Sequence, residues 1–268
     1  MGHMVQVKGG EIWADDTGTD GVAGAAVAGP PLVLLHAGVG DSRMWDPVLP
    51  ALAARHRVIR YDARGFGSSP APTVSYTQAE DLRSVLDHYE LDRVVLVGSS
   101  MGGRTVIDLA LNDPGRVAAL GLLVPGVNGY DGLDSPEVME EIGRLATAGD
   151  MDGLVALALR LWGGAGPDPD TEAEALLRAA IPAWFTTYGH ETPGAPAFDR
   201  LGELDLPSTL LLGEQDQPEV IRCNEAMAAR IPGCELVRRP DCDHFPTLRA
   251  PEAVVESVTG LAERAAAG

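Results

Sequence analysis

A serine lies at the centre of the glycine-flanked pentapeptide Gly98-Ser99-Ser100-Met101-Gly102, directly after the apolar run Val94–Val97. This G-x-S-x-G spacing is typical of a sharp turn between a strand and a helix, which needs small neighbours and leaves the serine hydroxyl exposed. A helix that begins at Met101 would point its free N–H groups at an oxygen approaching Ser100. The pattern therefore predicts a nucleophilic serine, provided that a base and a carboxylate occupy matching positions.

A serine hydroxyl is a weak nucleophile and needs a base, usually a histidine that a carboxylate orients. His244 follows the last strand-like run and precedes the last helical pattern, at the sheet edge where open α/β folds bind ligands. Asp216 follows the preceding strand-like run, which gives the chain order Ser, Asp, His. We predict a catalytic triad of Ser100, Asp216 and His244. Other carboxylates that could flank the imidazole are Glu214, Asp241 and Asp243.

Acyl transfer also requires two N–H donors for the charge that develops on the carbonyl oxygen, and the loss of one donor costs roughly 2.7–4 kcal/mol. The backbone N–H of Met101 is the first predicted donor. The second comes from the loop His36-Ala37-Gly38-Val39-Gly40, which follows the third strand-like run. We predict Gly38, with Val39 as the alternative. His36 itself is expected to make structural hydrogen bonds.

Eight strand-like runs and the helical patterns between them must position these residues. From the third run onward the runs are short and nearly all apolar, which indicates strands buried on both faces of a mostly parallel sheet. Their alternation with helical patterns predicts an α/β fold in which helices flank this sheet. The runs are Gln6–Val7, Glu11–Ala14, Leu32–Leu35, Val58–Tyr61, Val94–Val97, Leu120–Val124, Thr209–Leu212 and Glu235–Val237. The helical patterns are Asp46–Ala54, Thr77–Tyr89, Met101–Asn112, Val220–Arg230 and Pro251–Ala266.

The segment 125–207 breaks this alternation after the sixth strand-like run, because it carries no convincing core strand. It is predicted to be a helical cap, inserted between two parts of the α/β core that comprise residues 1–124 and 208–268. The Gly- and Ala-rich residues 17–31 predict a mobile hairpin loop. The helical patterns of the cap are Ser135–Thr147, Met151–Trp162 and Thr171–Ala183.

Four residues are candidates for contact with a substrate. Arg104 lies in the first turn after Ser100, where it is either a surface side chain or an anchor for a substrate carboxylate. Trp162, Trp184 and Tyr188 lie in the predicted cap of a chain that is only 5% aromatic. They either pack the cap or line a hydrophobic pocket over the nucleophile.

The composition restricts the classes of function. A formal charge of −19 and a single lysine leave no basic patch for nucleic acid. No apolar stretch approaches the ~20 residues of a membrane helix, and no leader pattern begins the chain. The three cysteines form no C-x-x-C pair and are expected to be reduced thiols. We expect a cytoplasmic enzyme that acts on a small molecule and needs neither a metal nor an organic cofactor.

Several ordered motifs resemble the α/β-hydrolase superfamily, and within it the enol-lactonase, esterase and cofactor-free haloperoxidase-like branch. The chain departs from that family's pattern in two places, since Ala37 and Asp243 occupy positions where the family usually or often has glycine. Asp243 could raise the pKa of His244 or compete for its ring. The motifs are His36-Ala37-Gly38, Ser42-Arg43-Met44-Trp45-Asp46, Tyr61–Ser69, Gly98–Gly103, Gly213-Glu214-Gln215-Asp216 and Asp243-His244-Phe245-Pro246.

This resemblance implies an α/β-hydrolase fold and a serine hydrolase that cleaves a carboxylic ester or lactone through an acyl-enzyme. The same triad could instead cleave a carbon–carbon bond or exchange an acyl group with peroxide. A binding protein or a non-hydrolytic cyclase on the same fold is the alternative from another class. The intact set of Ser100, Asp216 and His244 favours the hydrolase.

Overall fold

A computed structural model of the chain describes residues 2–18, 29–133 and 135–267. Its eight strands form one sheet in the order β1-β2-β4-β3-β5-β6-β7-β8. The pairs β1–β2 and β2–β4 are antiparallel, and every other neighbouring pair is parallel. The predicted eight-stranded, mostly parallel sheet is confirmed. The strands are β1 (His3–Val7), β2 (Gly10–Asp16), β3 (Leu32–Leu35), β4 (Val58–Tyr61), β5 (Val94–Ser99), β6 (Val117–Leu123), β7 (Ser208–Gly213) and β8 (Glu235–Arg239).

Helices cover both faces of this sheet, as the apolar strands require. In β5, Val94 and Leu96 face one hydrophobic core, while Val95 and Val97 face another. This alternation explains why nearly every residue of the strand is apolar. The α-helices of the described part are α1 (Leu49–Ala53), α2 (Gln78–His88), α3 (Met101–Asn112), α4 (Pro136–Ala148), α5 (Met151–Trp162), α6 (Thr171–Thr186), α7 (Pro218–Arg230), α8 (Pro246–Arg249) and α9 (Pro251–Ala267).

Some element boundaries differ from the predicted ones. Strand β6 begins at Val117 rather than Leu120, because pairing with β5 extends to Val94. The predicted helix Asp46–Ala54 is wrong in its first part: residues 46–48 form a turn after a short 3₁₀ helix (Ser42–Trp45), and α1 begins only at Leu49. Pro50 explains this later start, because its missing N–H is tolerated in the first turn of α1 but would fall in the interior of a helix that began at Asp46.

Three helices, α4 to α6, lie between β6 and β7, where the sequence predicts a helical insertion. Each begins at a side chain that accepts a backbone N–H: Ser135, Asp150 and Asp170 respectively. The division of the chain into a core and a cap domain stays a prediction. Most of the predicted loop 17–31, namely residues 19–28, lies outside the described residues. Across the described ranges, every helix is too short or too polar to cross a membrane.

Candidate active site

Ser100 occupies a strained turn between β5 and α3, with φ of 46° and ψ of −107°. A residue other than glycine rarely adopts this backbone conformation, and such strain is characteristic of functional positions. The glycines beside it are sterically required. A Cβ atom on Gly98 would lie 2.3 Å from the carbonyl oxygen of Gly102, and one on Gly102 would lie 2.4 Å from that of Leu35. The predicted strand, sharp turn and helix around Ser100 are therefore present.

The structure brings together the three residues predicted to form the triad. His244 lies on the loop between β8 and α8, and its Nε2 is 2.9 Å from the Oγ of Ser100. The Nδ1 of the same ring is 2.5 Å from the Oδ2 of Asp216, which follows β7. The carboxylate of Asp216 also accepts the N–H of Gln217 at 2.7 Å. With an ionised Asp216, Nδ1–H donates to it, and Nε2 can accept the Ser100 proton.

Two opposing effects act on the imidazole of His244. Burial by itself lowers its pKa, because the charged form loses its hydration. The charge and hydrogen bond of Asp216 and the charge of Asp243 outweigh burial, so the pKa lies above its usual value. The imidazolium that forms when Ser100 loses its proton is thus stabilised.

The other carboxylates that the sequence leaves open do not contact the imidazole. Glu214 forms an ion pair with Arg238 at 2.6 Å, and Asp241 forms one with Arg239 at 3.0 Å. Asp243 is fully buried, but its Oδ2 accepts the Nε–H of Arg249 at 3.0 Å. Asp243 therefore does not compete for the ring, although its charge raises the pKa of His244.

The loop after β3 lies against the start of α3, as the predicted oxyanion site requires. Gly38 and Met101 line the same cavity as Ser100 and His244. A Cβ atom on Gly38 would come within 3.7 Å of the Sδ atom of Met101. Trp184 fixes this loop by donating its indole N–H to the carbonyl oxygen of Gly38 at 2.6 Å. The donor roles of Gly38 and Met101 stay predictions.

His36 is held by two short structural hydrogen bonds. Its Nε2 accepts the N–H of Ala63 at 2.9 Å, and its Nδ1 lies 2.8 Å from the carbonyl oxygen of Ala37. The acceptor at Nε2 places the ring proton on Nδ1, so His36 is a neutral connection between two loops.

The cavity above Ser100 has a volume of about 560 Å³. Trp162 and Trp184 line it, and their rings meet edge to face with centroids 5.9 Å apart. The Trp162 ring also lies 6.1 Å from the ring of His244. Of the two alternatives that the sequence leaves open for these tryptophans, their position in the cavity wall agrees with the second, and contact with a substrate stays a prediction.

The other two candidates for substrate contact, Arg104 and Tyr188, lie in less favourable surroundings than the tryptophans. Arg104 lines the cavity, but its guanidinium donates to Glu191 at 2.6 Å, so its charge is already paired. Tyr188 lies two residues beyond the end of α6 and is 82% exposed. Tyr188 is absent from the residues that line the cavity, and its contact with a substrate stays a prediction.

Sequence reasoning missed the segment that follows β6. Val124 has φ of 40°, an unusual value for a β-branched residue, and residues 124–130 form one wall of the cavity. Asn224 of α7 supports this wall by donating to the carbonyl oxygen of Pro125 at 2.8 Å. Residues 124–130 follow the carboxyl end of a parallel strand, and this position in the sequence could have indicated that they line the site.

Within the described residues, no group of three or more His, Cys, Asp or Glu side chains is arranged to hold a metal ion.

Known proteins resemble this chain in sequence and in fold. A model described as the alpha/beta hydrolase family matches residues 32–257. The chain is 45% identical over 97 residues to a putative carbamate hydrolase RutD of Variovorax paradoxus, and that alignment covers 34% of this chain and only 36% of the relative. It is 27% identical to a 2-hydroxy-6-oxononadienedioate/2-hydroxy-6-oxononatrienedioate hydrolase of Cupriavidus pinatubonensis, over 91% of this chain and 89% of the relative. The solved structure of Est816, an N-acyl homoserine lactone degrading enzyme, matches with a TM-score of 0.78 and 26% identity, covering 96% of this chain and 99% of Est816.

Proposed function

Since the chain belongs to the alpha/beta hydrolase family, we propose that it is a serine hydrolase that cleaves a carboxylic ester or lactone. The observation that carries this proposal is the continuous hydrogen-bond chain from Ser100 through His244 to Asp216. The similarity to Est816, which degrades lactones, supports the substrate class. A hydroxyl with a base at 2.9 Å is the arrangement that nucleophilic catalysis requires.

The proposed reaction begins when the Oγ of Ser100 attacks the substrate carbonyl carbon while the Nε2 of His244 takes the hydroxyl proton. The carbonyl oxygen becomes an oxyanion, for which the N–H groups of Met101 and Gly38 are the proposed donors. His244 then gives its proton to the leaving alcohol as the carbon–oxygen bond breaks. In the second half, His244 takes a proton from water, and the resulting hydroxide attacks the acyl-enzyme. Breakage of the bond to Ser100 releases the acid, and the proton returns to Oγ.

We propose that the preferred substrates are uncharged around the scissile bond. The cavity wall contains the aromatic rings of Trp162 and Trp184 and the apolar side chains of Val124 and Val220. The cation of Arg104 is neutralised by Glu191, and the chain as a whole carries a formal charge of −19. A substrate carboxylate would therefore be repelled over long range without gaining a free partner at Arg104.

We also propose that residues 125–207 act as a cap domain on the core formed by residues 1–124 and 208–268. The end of α5 brings Trp162 to the cavity, and the end of α6 brings Trp184 there. Such a cap would exclude water from the reacting centre while the acyl-enzyme forms.

Incubation with a fluorophosphonate probe tests this function directly. Ser100 should be labelled in the folded protein, and Ser100→Ala should abolish both labelling and hydrolysis of short p-nitrophenyl esters. Ser99→Ala is the matched control, because the Ser99 hydroxyl is buried and has no hydrogen-bond partner among the described residues. Near-normal activity of Ser100→Ala, or an absence of label on Ser100, would exclude the proposed nucleophile and favour a binding protein or cyclase.

Carbon–carbon bond hydrolysis by the same triad is the second candidate function. It is favoured by the relative of Cupriavidus pinatubonensis, which is aligned over nearly the whole chain and is named for a dienedioate substrate. Comparison of a dienoic diketone with a p-nitrophenyl ester, each at saturation, separates the two. Faster turnover of the diketone than of the ester would show that carbon–carbon bond hydrolysis is the preferred reaction.

A further inference from the structure

A buried cluster of charges begins at Asp243, the residue directly before His244. Asp243 accepts from the Nε of Arg249 at 3.0 Å, and the Nη2 of Arg249 also donates to Asp170. The three side chains are between 0% and 7% exposed. Arg249 belongs to α8, whereas Asp170 caps the N-terminus of α6 by accepting the N–H of Ala173 at 3.1 Å. One guanidinium therefore joins the loop of His244 to the helical insertion.

Backbone contacts reinforce this connection along residues 162–170, which we call the base segment. The carbonyl oxygen of Trp162 accepts the N–H of His244 at 3.1 Å. The N–H of Ala165 donates to the Oδ2 of Asp243 at 3.0 Å. A Cβ atom on Gly164 would lie 2.7 Å from the carbonyl oxygen of Gln215, beside Asp216. The base segment thus lies directly against both loops that carry the partners of Ser100.

Burial of these charged groups costs free energy, because they lose their hydration. Every oxygen of Asp243 is nevertheless used: Oδ1 accepts the N–H of Phe245 at 2.9 Å, and Oδ2 accepts from Arg249 and Ala165. A guanidinium suits the bridge because its rigid fork presents several N–H donors in fixed directions. A glycine at position 243 could supply none of these side-chain contacts.

We propose that Asp243 and Arg249 are positioning residues, which lock the loop of His244 onto the base segment and so keep Nε2 within reach of the Ser100 hydroxyl. This inference rests on the proposed serine-hydrolase function. Beyond that function, we infer that the loop of His244 and the helical insertion are held as one unit. Displacement of a reacting group by about 1 Å lowers a rate roughly 100-fold, so a loosened loop should slow proton transfer.

Asp243→Asn is the decisive variant, because the amide keeps the shape but cannot neutralise Arg249, and its NH₂ group cannot accept the hydrogen bonds that one of the two carboxylate oxygens accepts. Its rate of fluorophosphonate labelling at Ser100 should fall roughly 10-fold to 100-fold. Asp241→Asn is the matched control: this carboxylate lies in the same loop, is paired with Arg239 at 3.0 Å, and is more than half exposed. Its labelling rate should stay within about twofold of wild type.

The pH dependence of labelling separates positioning from general loss of structure. The charged groups that act on the pKa of His244 are Asp216 and Asp243, and Arg249 is ion-paired with the latter. Removal of the Asp243 charge removes one cause that raises this pKa and leaves the Arg249 cation less neutralised. The acid limb of the rate should therefore move to lower pH in Asp243→Asn and stay in place in Asp241→Asn.

A folded Asp243→Asn protein with a wild-type labelling rate and an unmoved acid limb would overturn the proposal. If Asp243→Asn fails to fold, Arg249→Lys and Arg249→Met replace it. Lysine retains a cation between the two carboxylates, so it should label several-fold faster than methionine, and equal rates would refute the role of Arg249. Failure of the proposed function looks different, because wild-type Ser100 would then remain unlabelled in every case.

Discussion

Replacement of Asp216 by asparagine would test how the candidate site supports a general base. The carboxylate accepts the Nδ1–H of His244 at 2.5 Å and is fully buried beside it. An amide of the same shape can turn its NH₂ group towards Nδ1, and the ring then carries its proton on Nε2. Nε2 would point a donor at Ser100 and could no longer take its proton.

The expected loss follows from this change of tautomer. In serine-protease triads the same exchange lowers turnover roughly 10⁴-fold. At about 1.36 kcal/mol for each factor of ten, this corresponds to about 5.4 kcal/mol of transition-state stabilisation. We expect kcat for a short p-nitrophenyl ester to fall by that order, while KM changes little, because Asp216 is absent from the cavity lining.

The pH profile supplies an independent sign. Burial lowers the pKa of His244, and the charge and hydrogen bond of Asp216 raise it, as does the charge of Asp243. Without the Asp216 carboxylate, burial weighs more heavily and the pKa falls. The acid limb of the residual kcat/KM should therefore shift to lower pH, since His244 acts as a base only when neutral.

Initial rates over a pH series, with thermal unfolding to verify folding, provide the assay. Glu214→Gln is the matched control, because Glu214 lies two residues away on the same loop and pairs with Arg238 near the surface. Its activity should be close to wild type. The reasoning is refuted if folded Asp216→Asn keeps more than a tenth of wild-type kcat, or if Glu214→Gln loses as much.

Three further predictions concern the walls of the site. Trp184→Phe keeps an aromatic ring but removes an indole N–H donor that fixes the loop after β3, so kcat should fall several-fold, while the free energy of unfolding falls by about 1 kcal/mol through the loss of one hydrogen bond. The double variant Arg104→Met, Glu191→Gln, which removes both charges of this ion pair, should affect neutral and carboxylate-bearing esters equally, because the pair presents no net charge to the cavity; a loss confined to the carboxylate ester would contradict this. Gly98→Ala should prevent stable folding, since its Cβ would meet a carbonyl oxygen at 2.3 Å, whereas Gly115→Ala, with open space around the same atom, should unfold at nearly the wild-type temperature.

The sheet and the two partners of Ser100 could be predicted from the sequence for a physical reason. A strand buried on both faces is apolar throughout, so the run before Ser100 can be predicted to be a strand without knowledge of its neighbouring strands. Parallel strands end at one edge, and this brings Asp216 after β7 and His244 after β8 to the same place as Ser100 after β5. The chain order of those elements was enough to predict their proximity.

The roles of side chains in the helical insertion were harder to predict from the sequence. Whether such a side chain packs between helices or lines the cavity depends on the rotation and length of its helix. Trp184 and Tyr188 look equivalent in the sequence, yet one reaches Gly38 and the other lies in solvent. Helix α6 continues through Pro182 to Thr186, past the predicted end at Ala183. This added turn keeps Trp184 within the helix, whereas Tyr188 lies beyond its end.

Asp243 shows why motif position alone does not assign a role. Beside His244 in the sequence, it could be expected to act on the imidazole through a direct contact. Its actual partners, Arg249 and Ala165, come from α8 and from the base segment, and only the folded chain brings them together. His244 contacts Ser100, while the adjacent Asp243 contacts Arg249. One short loop can therefore present both the reacting base and its anchor to the helical insertion.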